Sequence, residues 1–461
     1  MNLDVASNIA RQSLIASQFQ IALSSRNVAA ADDPTRSRAA ATLATTIDGG
    51  VRIGGVRRAE DTAVYTRMID ATSVTAERDA VLQHLNVLSE LVGDPENNTS
   101  IGAMIGEMNS ALVDYANAPD DPLFGRTVIE RARDVADKLN RTSSELLLLR
   151  DTADSRIAGG VDSVNQLLLS LDEINKNIVK GTISGRDVTM DLDRRDGIVA
   201  QISEYIGVKT LSRSNNDIAL FTDSGVTMYD NGVREVSFAR TTVFTATTAA
   251  GEVFVDGLPI TGASAPMPAK AGSIVGSASV RDYIIPTYQL QMDEIAREIT
   301  DIFTDGVGSL FLNGGGPDYA GTISVSATVD PTQGGTVENL RDGTGNLSGF
   351  AGYSDRLLSL SDALAGTSAF DPNTELNATS SLLDFSAETA GWIENLRKST
   401  NDDVNAEAAI LRQSSDTLSR ATGVNLDDEY AQQLMIERSF SASSKIISIV
   451  DEMFDTLLRI N

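Results

Sequence analysis

A long seam of mostly apolar residues constrains the fold of this chain more than any other sequence feature. Its seven positions follow one another at alternating steps of four and three residues: Ile157, Val161, Val164, Leu168, Leu171, Asn175 and Ile178. A period of 3.5 residues over such a length is typical of helices that pack lengthwise against other helices. The seam therefore predicts a helical bundle and argues against a compact α/β enzyme.

Seams of the same kind lie at both ends of the chain. The first 30 residues form one predicted amphipathic helix, and two more long helices are predicted at about Thr379–Ala421 and Leu426–Ile460. Ten residues of the first and last helices are the candidate polymerisation seam: Ile9, Ala16, Phe19, Leu23, Ile436, Phe440, Ile447, Val450, Phe454 and Leu457. Because an isolated helix cannot bury such a strip, we expect the terminal helices to pack against each other and against neighbouring subunits. A monomeric bundle is the alternative, since it uses the same period.

The hydrophobic pattern changes between residues 208 and 282. The apolar runs become short and rich in Val, Thr, Phe and Tyr, and turn signals such as Asn231-Gly232 separate them, which predicts strands. Residues 48–55 predict a short hairpin, and Thr322–Thr328 predicts one further strand. The predicted fold class is mainly α with an inserted small β domain, an elongated helical bundle with terminal coiled-coil helices.

We expect three parts in this fold. Residues 1–45 plus 420–461 are the predicted terminal coiled-coil polymerisation region. Residues 46–207 plus 283–419 are the predicted helical body domain, and residues 208–282 are the predicted inserted β domain.

The composition excludes several classes of partner. The chain has 37 Lys and Arg residues against 64 Asp and Glu residues, a formal net charge of −27. Such a chain repels phosphate groups unless it has a concentrated basic stripe, and the sequence shows none, so neither nucleic-acid binding nor membrane insertion is expected. No apolar run approaches the ~20 residues that span a bilayer. The N-terminus also lacks the cationic and apolar segments of a cleaved secretory signal.

The chain offers few residues for catalysis. It has no cysteine and one histidine, His84, which lies in a helical run and is interpreted as a helix-packing residue. Asp223-Ser224-Gly225 resembles half of an aspartic-protease site, but only one copy occurs, and this sequence also favours a turn. The acidic clusters at residues 191–196 and 427–429 lack calcium-loop spacing and are typical of the first turns of helices. The sequence therefore predicts no catalytic residue, no metal site and no cofactor.

Segments in order along the chain resemble one known family. Gly423 to Tyr430, with the long helix that follows, closely resembles the C-terminal signature of the flagellar hook-associated protein 1 family. Arg26-Asn27-Val28-Ala29 resembles the element that ends the first helix of flagellar axial proteins. Leu192-Asp193-Arg194-Arg195-Asp196 resembles the family's helix that leads into the β domain, and Tyr288–Phe303 the helix that follows it. The signature residues are Asn27, Val28, Ala29, Gly423, Val424, Asn425, Leu426, Asp427, Glu429 and Tyr430.

One segment departs from the family pattern. After the first helix the family usually has a second Asn and then a Gly/Ser-Tyr-Ser/Thr-Arg element. Here Asp32-Asp33-Pro34 follows, and Arg36 stands where Tyr is usual. The resemblance therefore does not predict the local contacts of this turn.

The resemblance implies a structural protein of the bacterial flagellum that polymerises at the distal end of the hook and joins the hook to the filament. It implies no enzymatic activity and secretion through the flagellar type III export apparatus. The implied partners are the hook protein, the second hook-filament junction protein, further copies of the chain in a homo-oligomeric ring, and an export chaperone at the C-terminal helix. Absence of cysteine fits export of an unfolded chain through a narrow channel.

Two alternatives stay open. The chain could be another flagellar axial protein, such as the second junction protein or a hook component. It could also be a surface adhesin or a secreted enzyme on an axial scaffold.

Overall fold

The computed structural model describes residues 3–94 and 97–460, and most of these residues are helical. The helices are α1 (Leu3–Ala29), α2 (Thr62–Val92), α3 (Ile101–Asn117), α4 (Pro122–Ile183), α5 (Thr189–Tyr205), α6 (Ser273–Ser279), α7 (Ile285–Ile302), α8 (Tyr319–Thr322), α9 (Glu338–Asp342), α10 (Asp355–Ala365), α11 (Leu382–Thr422) and α12 (Leu426–Ile460). A π-helical turn, Val280–Ile284, joins α6 to α7. The prediction of a mainly helical fold with long terminal helices is confirmed. None of the helices described is both long and apolar enough to cross a membrane.

The strands are short and form several small sheets. They are β1 (Ala39–Thr45), β2 (Val51–Arg58), β3 (Val208–Ser212), β4 (Ile218–Thr222), β5 (Thr227–Tyr229), β6 (Val236–Phe238), β7 (Val253–Val255), β8 (Leu258–Pro259), β9 (Phe311–Leu312), β10 (Ser324–Val325), β11 (Thr367–Ala369) and β12 (Thr379–Ser381). Two three-stranded sheets have the orders β3-β4-β5 and β6-β7-β8, while β1-β2, β9-β10 and β11-β12 form two-stranded sheets. The predicted hairpin near residues 48–55 and the predicted strands after residue 208 are confirmed.

The strand predicted at Thr322–Thr328 was largely wrong. Residues up to Thr322 belong to α8, because the Asp318 side chain caps this helix by accepting a hydrogen bond from the Gly321 amide. Only Ser324 and Val325 are extended and paired with β9. Hydroxyl groups of serine and threonine then bond to each other and to the local backbone in place of a sheet ladder.

Helix α4 runs for 62 residues and includes the seam that predicts the bundle. It begins at Pro122, where the missing amide proton costs no helical hydrogen bond. It ends just before Gly185, whose φ of +72° is the left-handed conformation that closes many helices. Six of the seven seam positions are apolar and buried, and the seventh, Asn175, is buried as well.

The chain divides into two compact units. The terminal unit comprises residues 1–75, 162–236 and 406–461, and the body unit comprises residues 76–161 and 237–405. The sheet β3-β4-β5 belongs to the terminal unit, whereas β7 and β8 belong to the body unit. The three-part division of the sequence stays a prediction.

The body unit has one continuous apolar core built from α2, α3, α4, α7, α10 and α11. Leu85, Met108 and Ile295 are among its fully buried residues. His84 is buried beside this core, with Nδ1 2.7 Å from the carbonyl oxygen of Ala80, and burial lowers its pKa. A neutral, helix-packed histidine agrees with the interpretation drawn from the sequence.

Candidate assembly interface

The terminal helices α1 and α12 pack against each other in the terminal unit. Of the predicted seam residues, Ala16, Leu23, Ile436 and Val450 are buried, and Ile9, Phe440, Ile447 and Phe454 are partly buried. Phe19 and Leu457 remain exposed, at 36% and 53% of their surface. Eight of the ten residues are thus buried or partly buried and two are exposed; their role in polymerisation stays a prediction.

Glu429 is the polar centre where the two helices meet the β1–β2 hairpin. Its side chain is 1% exposed and accepts hydrogen bonds from Ser24 Oγ at 2.5 Å and from Asn27 Nδ2 at 3.1 Å. Arg38, just before β1, donates from Nε to the same carboxylate at 2.6 Å and from a terminal nitrogen to Gln432 at 2.6 Å. A buried carboxylate needs partners of this kind, because an unpaired charge is costly in an apolar setting. Glu429 therefore joins α1, the hairpin and α12 at one point.

Three of the signature residues have clear structural roles here. Asn27 is buried and exchanges side-chain hydrogen bonds with both backbone groups of Ala39, which fixes the start of β1. Asn425 Oδ1 accepts from the Asp427 amide at 2.9 Å, as an N-cap residue does. A Cβ atom at Gly423 would lie 2.4 Å from the carbonyl oxygen of Ser419, so only glycine fits the turn from α11 into α12.

The remaining six signature residues are partly buried or exposed. Val28 and Val424 are partly buried, whereas Ala29, Leu426, Asp427 and Tyr430 are exposed.

A second charged network holds the hairpin to α5. Asp193, on α5, accepts from the amide and hydroxyl of Ser37 at 3.2 and 2.5 Å and pairs with Arg58 at 3.0 Å. Arg58 also pairs with Asp196 at 2.6 Å. Asp193 and Arg58 are 7% and 12% exposed at their side chains, so water screens their attraction little.

The pKa values of this network follow from burial and charge. Burial raises the pKa of Asp196, although Arg58 and Arg195 oppose the shift. Burial alone would lower the pKa of Arg58, but the carboxylates of Asp196 and Asp193 outweigh it, and the pKa is raised. The arginine therefore stays ionised near neutral pH.

The two acidic clusters do more than the sequence predicted. Asp191 lies in the first turn of α5, and residues 427–429 lie in the first turn of α12, as expected. Asp193 and Glu429, however, act through arginines of the hairpin region and not mainly through the helix dipole. The sequence feature that could have indicated these ion pairs was the group of arginines between residues 36 and 58 in an otherwise acidic chain.

The unusual turn after α1 stabilises itself locally. Asp33 Oδ1 accepts from the amide and hydroxyl of Thr35 at 3.0 and 2.6 Å. These bonds lower the pKa of Asp33. Arg36, which stands where the family has Tyr, lies 3.7 Å from the Asp33 carboxylate. The turn thus has its own hydrogen bonds and leads directly to Ser37 and Arg38.

Replacing Asp193 with Ala should loosen the hairpin. Arg58 and Ser37 would lose a buried acceptor, and we expect a cost of about 2–4 kcal/mol in the free energy that docks the hairpin on α5. Amide hydrogen exchange should accelerate across residues 39–58. The neighbouring Arg194→Ala variant changes an exposed side chain on the same helix and should leave that exchange unchanged. Equal exchange in the two variants would contradict the assigned role of Asp193.

Two family models match this chain. One describes the helical domain of the flagellar hook-associated protein FlgK and matches residues 85–305. The other describes the C-terminal region of the flagellar basal body rod FlgEFG proteins and matches residues 419–460, which include α12 and Glu429.

Curated relatives of this chain are also flagellar hook-associated proteins. Flagellar hook-associated protein 1 of Bacillus subtilis strain 168 is 20% identical over 420 residues, which cover 81% of this chain and 79% of the relative. Flagellar hook-associated protein 1 of Salmonella typhimurium strain LT2 is 20% identical over 217 residues, 45% of this chain and 39% of the relative. The solved structure of the flagellar hook junction protein FlgK from Burkholderia pseudomallei is similar at a TM-score of 0.46 and 19% identity, over 54% of this chain and 47% of that chain.

Proposed function

We propose, from the confirmed resemblance of this chain to the flagellar hook-associated protein 1 family, that it polymerises at the distal end of the hook and joins hook to filament. The family models and the curated relatives support an axial structural role in the flagellum. In this proposal the chain is secreted, has no catalytic activity, and contacts the hook protein, the second junction protein and further copies of itself. An export chaperone would bind α12 before assembly.

An exposed apolar stripe on α12 carries the proposal. Its members are between 46% and 65% exposed: Met435, Ile446, Ile449, Met453 and Leu457. At 100° per residue these positions lie beside the seam that faces α1, not on it. A helix that is apolar on two adjacent sides needs a second covering surface, which the described residues of this chain do not supply. Polymerisation would supply it from a neighbouring copy.

Cells that lack this chain test the role. We expect bare hooks in electron micrographs and flagellin lost to the medium, because export continues while capture of the filament fails. Normal filaments in these cells would contradict the proposed function.

A charge placed in the stripe should give the same result as the missing chain. Leu457→Asp introduces an unpaired charge where a neighbour is proposed to pack, so we expect filament number per cell to fall at least about tenfold. Since Leu457 is already exposed in the single chain, helicity by circular dichroism should not change. Leu434→Asp makes the same change at another exposed leucine of α12, on a different side of the helix, and serves as the matched control. Equal filament numbers in the two variants would argue against the stripe.

A further inference from the structure

The β1–β2 hairpin presents two free arginines on one face. Arg52 and Arg57 are exposed, and neither has an ion pair or a hydrogen-bonded partner within the part of the chain that the structure describes. The opposite face of β2 ends in Arg58, which is paired with Asp193 and Asp196. One face of the hairpin thus has two uncompensated cations in a chain whose net charge is −27.

A β-bulge aligns these two side chains. Five residues apart on a regular strand, they would point to opposite faces. The register shifts between Thr42 and Leu43, however, so that Arg57 lies opposite Ala40 and Arg52 lies opposite Ala44. Because Ala40 and Ala44 are an even number of residues apart, both arginines share their face.

The floor between the two arginines is flat and open. It consists of Ala40, Thr42, Ala44 and Gly55, and a Cβ atom at Gly55 would meet only the Thr42 hydroxyl, at 3.7 Å. Four residues of strand separate the arginines by roughly 13 Å. A surface of this shape admits a helix or strand whose carboxylates reach both guanidinium groups.

Helix α12 has an acidic side, opposite in charge to this face. Glu437, Asp451 and Asp455 are exposed and have no ionic partner among the described residues. Steps of 14 and 4 residues place them on one side of the helix, next to the seam and away from the exposed apolar stripe. Of the three cations of this helix, Arg438 and Lys445 lie on a different side, and Arg459 lies one turn after Asp455.

We propose that the Arg52–Arg57 face of one copy binds the acidic side of α12 in a second copy. Charge complementarity favours a second copy as the partner. The chain is acidic, so the two unpaired arginines of one hairpin can bind carboxylates of another copy. Two cations alone are too few to hold a nucleic acid against the repulsion of the whole chain. The inference rests on the proposed polymerisation and adds the contact that sets how adjacent copies align.

Charge reversal in the full-length chain tests the contact. R52E/R57E should reduce the number of filaments per cell at least about tenfold, because like charges then face each other between copies. The four-site variant R52E/R57E/E437K/D451K restores opposite charges in every copy and should recover most of the wild-type number. The control R126E/R194E reverses two exposed cations that also have no partner among the described residues, and should behave as the wild type does. Unchanged circular dichroism of the secreted variants shows that each still folds.

The outcomes separate this contact from the function on which it rests. Normal filaments with R52E/R57E, while Leu457→Asp still blocks them, would overturn the contact and leave the junction role standing. A defect that the four-site variant fails to repair would also overturn it, since the hairpin would then bind a surface other than α12. Normal filaments in cells without the chain would instead overturn the proposed function.

Discussion

Replacing Glu429 with Ala should release α12 from α1 and the hairpin. Ser24, Asn27 and Arg38 would each lose their shared acceptor, and Arg38 would be left without its carboxylate partner. Removing one partner of a buried ion pair typically costs about 3–5 kcal/mol, and we expect about 2–4 kcal/mol here because Arg38 is one-third exposed. Amide hydrogen exchange of α12 should accelerate by a factor between roughly 30 and 1,000.

A second variant separates the charge of Glu429 from its shape, and a third serves as the control. Glu429→Gln keeps one acceptor oxygen and should cost about 1–2 kcal/mol, less than the alanine variant. Glu437→Ala removes an exposed carboxylate from the same helix and should leave exchange in α12 unchanged. If Glu429→Ala exchanges no faster than Glu437→Ala, the network does not hold the terminal helices together.

The course of the helices could be predicted from the sequence because their signals are local. Gly423 and Asn425 mark the turn and the cap before α12, and the alternating steps of four and three mark the side that is buried. The same steps do not say what covers a side, so Phe19 and Leu457 could not be distinguished from buried neighbours such as Leu23 and Val450.

The contacts of the candidate interface could not be predicted, because they join distant segments. Ser24 and Glu429 lie 405 positions apart, and Ser37 and Asp193 lie 156 apart. An acidic residue in the first turn of a helix is favourable wherever that helix packs. Its sequence position therefore could not show that Glu429 is buried and paired while Asp427 is exposed.

The orientation of the two free arginines of the hairpin could not be predicted from the sequence either, although it depends on contacts at shorter range. Alternation along β2 would have assigned Arg52 and Arg57 to opposite faces. The bulge that reverses this assignment lies at Gly54-Gly55, where the absence of side chains permits a backbone that other residues rarely adopt. Two adjacent glycines in a strand are a local sign of such a bulge, but the residue at which the register shifts depends on the pairing with β1.

The stability of the body unit should fall as pH rises from about 4 to about 7, and Asp293 should account for much of that fall. This residue, on α7, is 6% exposed and has no cation in contact among the described residues; it accepts only from the Ala320 amide at 2.8 Å and from Gln289 at 3.4 Å. Burial raises its pKa to about 7, and the negative charges of Asp318 and Glu294 act in the same direction. The native state therefore keeps a proton that the unfolded chain, with an ordinary carboxyl pKa, releases.

The sign and size of the effect follow from proton linkage. Where the native state binds more protons than the unfolded state, the free energy of unfolding decreases with pH, by at most about 1.4 kcal/mol per pH unit for one group. The stabilising contribution of the Asp293 proton is therefore largest below about pH 4. It is lost progressively between about pH 4 and about pH 7 and is absent above about pH 7. Asp293→Asn cannot lose a proton, so its free energy of unfolding should change less steeply with pH, and the variant should be the more stable protein at pH 8.

Trp392 makes this measurement specific to the body unit. It is the only tryptophan of the chain and is packed, partly buried, against the body core, so its fluorescence in urea reports the unfolding of that unit. The acidic surface also contributes to the pH dependence. Asp301→Asn, which removes an exposed carboxylate that pairs with Arg297 on the same helix, measures that background. A slope in Asp293→Asn equal to that in Asp301→Asn would show that Asp293 is ionised in the native state throughout the window. Its burial would then have to be offset by a donor or a water molecule that relaxes towards it, since one amide and one weak side-chain bond do not replace the hydration of a buried carboxylate.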